Sequence, residues 1–221
     1  MENTDIEMQP IHKASYFLTI PAKIISYVFH PLFIPTYIFL FLVNRFPYEF
    51  SGITYWKLEL RIFSVFWFTA FFPAFTVFLL WRLKFSNNIY LQTQKERIIP
   101  FMVTMFFYWW MYYLSRNFTD QPIVLKFFYF GIFISTSLGV VINNYIKISL
   151  HGMAMGGAVT AIILFAFFYR TPLTAAIGIT TLLTGLVCTS RLLVSDHTNV
   201  EIYSGLLVGS LCQLIGYWFA L

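Results

Sequence analysis

The chain has 221 residues, 59% of them hydrophobic and only 10% charged, where a soluble domain carries about 25% charged residues; it is built for a bilayer, not for water. The net charge of +5 comes from lysines and arginines scattered singly, which excludes the clustered basic patch of a nucleic-acid binder. Cys188 and Cys212 fall inside apolar stretches and read as small buried side chains, not as a disulfide framework or a metal site.

Along the chain, Glu2, Asp5 and Glu7 stand where a secretory leader would be positively charged, and no small-residue cleavage site follows, so no cleaved signal is expected. His12 in this polar tail takes no role. Residues 11–29 read as interfacial, because Lys13, Pro21 and Lys23 interrupt them. A membrane span needs about 17–25 mostly apolar residues. The first is expected from about Pro31 to Val43, with His30 a structural residue at its entry, and the second from Leu60 to Trp81 with a kink at Pro73. Residues 82–100 form a polar connection. Further spans are expected at Ile98–Leu114, Ile123–Ile142, Met153–Tyr169, Pro172–Thr189 and Ile202–Leu221.

The expected fold is an all-α integral membrane protein with six to seven transmembrane helices. Residues 1–94 would hold the interfacial segment and two spans, and residues 95–221 a helical bundle. Eight of the eleven glycines follow His151, and Gly152/Gly156 and Gly205/Gly209 are small-xxx-small pairs that let helices approach closely in lipid. Aromatics crowd residues 101–133, among them Trp109, Trp110, Tyr112 and Tyr113, and read as lipid-facing padding.

The polar residues between the last spans carry the chemistry. Arg, His and two acids at a membrane edge, as in Ser190–Glu201, are expensive without a function. On a helix, His197 and Glu201 would share a face, so the carboxylate can hold one imidazole tautomer and leave the other nitrogen free to attack an electrophile. Arg191 would offer a cationic fork to a phosphoryl oxyanion. Alternating spans bring three polar clusters to one membrane face: Lys95/Arg97, Ser149/His151 and Arg191/His197. Each also has a plainer reading. Thr198–Glu201 is a capping box in its own right, His151 could be an interfacial histidine, and Lys95 and Arg97 could anchor a helix end.

In these residues the chain resembles the type 2 phosphatidic acid phosphatase superfamily of membrane lipid phosphatases. That family's third motif, Ser-Arg-x5-His-x3-Asp, is matched in spacing by Ser190, Arg191, His197 and Glu201, with Glu in place of Asp. Its Pro-Ser-Gly-His motif is matched in part by Ser149 and His151, with Ile148 for Pro and Leu150 for Gly. Its first motif, ending in Arg-Pro, is suggested by Lys95, Arg97 and Pro100. The resemblance covers roughly residues 95–215.

It implies His197 as the nucleophile that forms a phospho-histidine, Glu201 as its orienter, and His151 as the general acid and base. Lys95, Arg97, Arg191, Ser149 and Ser190 would cradle the phosphoryl oxygens. No metal or other cofactor enters this scheme. The implied substrate is a membrane lipid carrying a phosphomonoester or diphosphate: phosphatidic acid, phosphatidylglycerophosphate or a polyprenyl diphosphate.

Two other classes remain open. One is a non-catalytic scaffold or transporter subunit that keeps a phosphate pocket; the other is a haem or quinone protein using His151 and His197. Eight Lys/Arg fall on the site side and six opposite. Without the three proposed catalytic cations the balance is five to six, which leaves orientation undecided. The resemblance implies an external or periplasmic site, and chain size suits a bacterial plasma membrane.

Overall fold

The computed structural model describes residues 16–85, 93–194 and 197–220. Glu2, Asp5, Glu7, His12 and Lys13 lie outside the described residues, with the start of the expected interfacial stretch. So do Asn87, Asn88 and Gln92 of the polar connection, Asp196 and Leu221.

Every regular element among the described residues is helical. Six stretches are long and apolar enough to cross a membrane. They are the continuous pair α3 (Tyr55–Phe66) and α4 (Phe72–Arg82), then α5 (Gln94–Asn117), α6 (Val124–Ile142), α7 (Leu150–Tyr169), α8 (Thr174–Val194) and α9 (Asn199–Ala220). The protein is an all-α integral membrane protein.

Two shorter apolar helices precede them, α1 (Tyr16–Val28) and α2 (Ile34–Arg45). The first expected span corresponds to α2, whose 12 residues reach only about 18 Å at 1.5 Å per residue. The turns on either side extend that reach. His30, just before α2, sets its ring edge against His151 at the start of α7, with centroids 5.4 Å apart. Phe46, just after α2, stacks on Tyr169 at the end of α7, with centroids 4.2 Å apart. Residues 30–46 therefore run beside α7 from one of its ends to the other. Helix α1 packs on α8, and Ala22 and Ser26 are its buried residues. Phe17, Ile24 and Tyr27 stay exposed, the arrangement of a helix that turns its large apolar side chains toward lipid.

Between α3 and α4 the helix widens into a π-turn at Trp67–Phe71, just ahead of Pro73. Proline has no N–H for the preceding turn, and its ring presses on the carbonyl four residues back; the extra residue relieves both. The kink expected at Pro73 thus takes the form of a π-bulge.

The centre of the bundle is α6, α7 and α9. A Cβ built on Gly209 would lie 2.0 Å from the Met153 carbonyl oxygen, one on Gly156 2.3 Å from that of Leu206, and one on Gly152 2.6 Å from that of Ile202. At those approaches only glycine fits, so the two small-xxx-small pairs bring α7 and α9 into backbone contact. Gly216 does the same against the Phe127 carbonyl of α6. The aromatic hairpin divides by helix. On α5, Phe106, Trp109 and Tyr113 are exposed, whereas Phe127, Phe128 and Tyr129 on α6 are among the most buried side chains of the protein. Helix α6 is packed between α5 and α9, so its aromatics fill the core; the padding reading applies to the exposed aromatics of α5, while its Phe101 and Tyr108 are buried.

Candidate functional site

Helices α7 and α9 begin side by side. Ser149 is the N-cap of α7, its hydroxyl accepting from Gly152 N–H at 3.3 Å, while its own N–H donates to the Glu201 carbonyl at 3.1 Å. Helix α9 opens with a reciprocal box: Glu201 N–H donates to Thr198 Oγ1 at 3.3 Å, and Thr198 N–H to Glu201 Oε2 at 3.0 Å. That same Oε2 lies 2.9 Å from His197 Nδ1. One carboxylate oxygen therefore caps the helix and holds the imidazole, and the two readings of Glu201 are compatible. A carboxylate only accepts, so the proton sits on Nδ1 and Nε2 keeps its lone pair. Burial pushes the His197 pKa down, with the charges of Arg97 and Arg191 in the same direction and the hydrogen bond that Nδ1–H donates to Glu201 opposing. Its pKa thus lies below the ordinary imidazole value, which favours the neutral ring.

His151, on the first turn of α7, is 8% exposed, and its Nε2 lies 3.0 Å from the Ser26 carbonyl oxygen. The carbonyl can only accept, so His151 donates through Nε2 and its other nitrogen, Nδ1, is the one left for chemistry. This carbonyl is available because α1 ends there: His30 N–H turns to Tyr27 O at 3.3 Å instead of reaching back to Ser26, and Pro31 prevents the helix from continuing.

A cavity of about 850 Å³ joins these elements, and Arg97, His151, Arg191 and His197 all line it. Arg97 is buried on the first turn of α5 and donates from Nη1 to the Ile148 carbonyl at 3.4 Å; Arg191 stands in the last turn of α8. Besides these charged side chains the cavity is lined mainly by apolar residues, among them Phe101, Phe128 and Ile132, together with Thr104, Thr136 and Gln213. Ile148 and Leu150, where the resembled motif carries Pro and Gly, are respectively fully buried and part of the cavity wall.

The remaining candidates lie elsewhere. Lys95 is exposed and outside the cavity lining. Ser149 Oγ is spent on its cap, and Ser190 Oγ donates to Leu186 O at 2.7 Å in its own helix; neither lines the cavity. Glu201 lines a separate shallow cavity of about 490 Å³ with Thr93, Lys147 and Thr198. Among the described residues no three His, Cys, Asp or Glu side chains gather as metal ligands would.

The sequence gives His30 only a structural place at the entry of α2, yet it lines the same cavity as His151 and His197. Burial and the nearby charge of Arg191 hold its pKa down at about 4. The signal was present in the sequence: a His-Pro pair interrupting an apolar run is how helices break around membrane binding sites. Comparison with protein-family models, with curated proteins and with solved structures found no match to this chain.

Proposed function

We propose that the protein is a membrane phosphohydrolase that cleaves the phosphate ester or diphosphate of a lipid, with His197 as nucleophile. One observation carries the reading: a histidine fixed through Nδ1 by a carboxylate at 2.9 Å shares a cavity with two arginines and a second histidine. Such a ring presents a lone pair on Nε2, and phosphoryl transfer asks of the protein mainly positioning and charge neutralisation.

In this reading Arg97 and Arg191 hold the phosphoryl oxygens and Nε2 of His197 attacks phosphorus. The bond to the leaving oxygen breaks, and His151, entering this step as the imidazolium with Nε2–H still on the Ser26 carbonyl, passes its Nδ1 proton to that oxygen. Water then attacks the phospho-histidine, Nδ1 of His151 takes its proton, and the P–N bond releases inorganic phosphate. The apolar lining of the cavity suits the hydrocarbon of a lipid substrate.

The test is release of inorganic phosphate from phosphatidic acid and from a polyprenyl diphosphate by detergent-solubilised protein. Acid-labile, base-stable label on the protein from ³²P substrate would mark the intermediate. Absence of phosphate release from either lipid refutes the proposal. The same protein would then stand as a phosphate-binding scaffold.

A further inference from the structure

The chemistry of the cavity bears on which lipid phosphate it takes. Four cationic side chains line it, Lys23, Arg97, Lys147 and Arg191, and no Asp or Glu does among the described residues. A phosphomonoester carries about −1.5 to −2 charge near neutral pH, which the two arginines already match. The two lysines line the same cavity from two different segments of the chain. Lys23 lies one helical turn before Ser26, whose carbonyl touches His151. Lys147 immediately precedes Ile148, whose carbonyl accepts from Arg97. One is therefore anchored beside the second histidine, the other beside the buried arginine.

Proton supply points the same way. His151 has one nitrogen committed to a backbone carbonyl, and His30, the other ring beside it, stays neutral down to about pH 4. A site with such modest acids is poorly equipped to expel an alkoxide, which must be protonated as it leaves. It is well equipped to expel a phosphate, which leaves as a stable anion if cations receive it.

We propose that Lys23 of the broken α1–α2 segment and Lys147 before α7 form a second phosphate subsite, making the substrate a lipid diphosphate rather than a lipid monophosphate. The inference rests on the phosphohydrolase reading above. In the first step His197 Nε2 bonds to the terminal phosphorus and the P–O bond to the bridging oxygen breaks. The bridging oxygen keeps the electron pair, and the lipid monophosphate leaves against Lys23 and Lys147. Water then bonds to phosphorus, the electron pair returns to Nε2, and the water proton goes to His151 Nδ1. The products are the lipid monophosphate and inorganic phosphate.

Geranylgeranyl diphosphate and geranylgeranyl monophosphate in identical micelles isolate the second phosphate from the tail. The expected kcat/KM favours the diphosphate by about tenfold or more, the worth of one charge-assisted contact, and Lys23→Gln or Lys147→Gln shrinks that ratio toward one. A ratio at or below one in the wild type, or an undiminished ratio in both variants, overturns the proposal. Calorimetry with inorganic pyrophosphate and orthophosphate tests the subsite without turnover. Tighter pyrophosphate binding that weakens in Lys23→Gln supports it even in a protein that hydrolyses nothing, whereas equal affinities refute it. Hydrolysis of both lipids at equal rates would leave the phosphohydrolase reading intact and remove the subsite alone.

Discussion

Replacing Glu201 by Gln separates the two duties of one side chain. Its Oε2 takes the N–H of Thr198 at 3.0 Å and that of His197 Nδ1 at 2.9 Å. The amide oxygen of Gln has two lone pairs and the same reach, so both bonds can be kept in geometry. What is lost is the negative charge. At the cap that removes a favourable helix-dipole interaction of about 0.3–1 kcal/mol, a small change in melting temperature. At the imidazole the loss is larger, because attack on phosphorus leaves His197 positively charged. A hydrogen bond to a charged group contributes about 1.5–3 kcal/mol against about 1 for a neutral pair. A difference of about 0.5–2 kcal/mol is about 2- to 30-fold in kcat. The pH profile supplies a second readout. Glu201 raises the His197 pKa against the dominant effect of burial, so the variant's value falls further and the acid limb of kcat/KM moves to lower pH. Phosphate release across pH 4–8 and thermal unfolding, measured on one preparation, decide the matter. Unchanged turnover and an unmoved acid limb would refute the role of Glu201 at His197 and leave it as a cap alone.

Other outcomes follow from the same geometry. His197→Gln should lower phosphate release by at least about three orders of magnitude and abolish phospho-histidine labelling, with little change in detergent stability. Gly209→Ala forces a methyl to within 2.0 Å of the Met153 carbonyl oxygen and should lower the melting temperature sharply. Gly178→Ala, with nothing within 4 Å, should raise stability by about 0.5–1 kcal/mol; a fall in both would refute the packing argument. The His30 pKa is lowered from 6.5 to about 4, so the unfolded chain binds this proton more readily over that interval. Its contribution to stability is complete above pH 6.5 and lost as pH falls toward 4. Wild-type protein should therefore lose stability more steeply than His30→Gln between pH 6.5 and 4 when followed by thermal unfolding.

What the sequence alone determined is whatever depends on local pattern. Apolar length located the six long spans, because a bilayer demands a continuous run of apolar residues whatever the partners are. The i,i+4 spacing pointed to a contact of His197 with Glu201 on a shared helix face; the contact forms, but His197 precedes α9, and the N-cap turn that folds Glu201 back onto Thr198 makes it. The spacing of the glycine pairs announced a close helix crossing. Alternation of the spans also pointed Arg97, His151, Arg191 and His197 toward one membrane face.

The tertiary structure decided what depends on contacts between distant segments. Nothing local distinguishes Lys95 from Arg97; the rotation of α5 turns one outward and the other into the cavity. The aromatic runs of α5 and α6 look alike in sequence, and only the central position of α6 buries Phe127, Phe128 and Tyr129. Ser149 and Ser190 carry hydroxyls that could face a ligand, but the nearest partners are backbone groups of their own helices. The Ser26 carbonyl reaches His151 across 125 residues of chain. That contact exists because a helix breaks at His30-Pro31 and packs against α8, and no spacing within residues 95–215 could have indicated it.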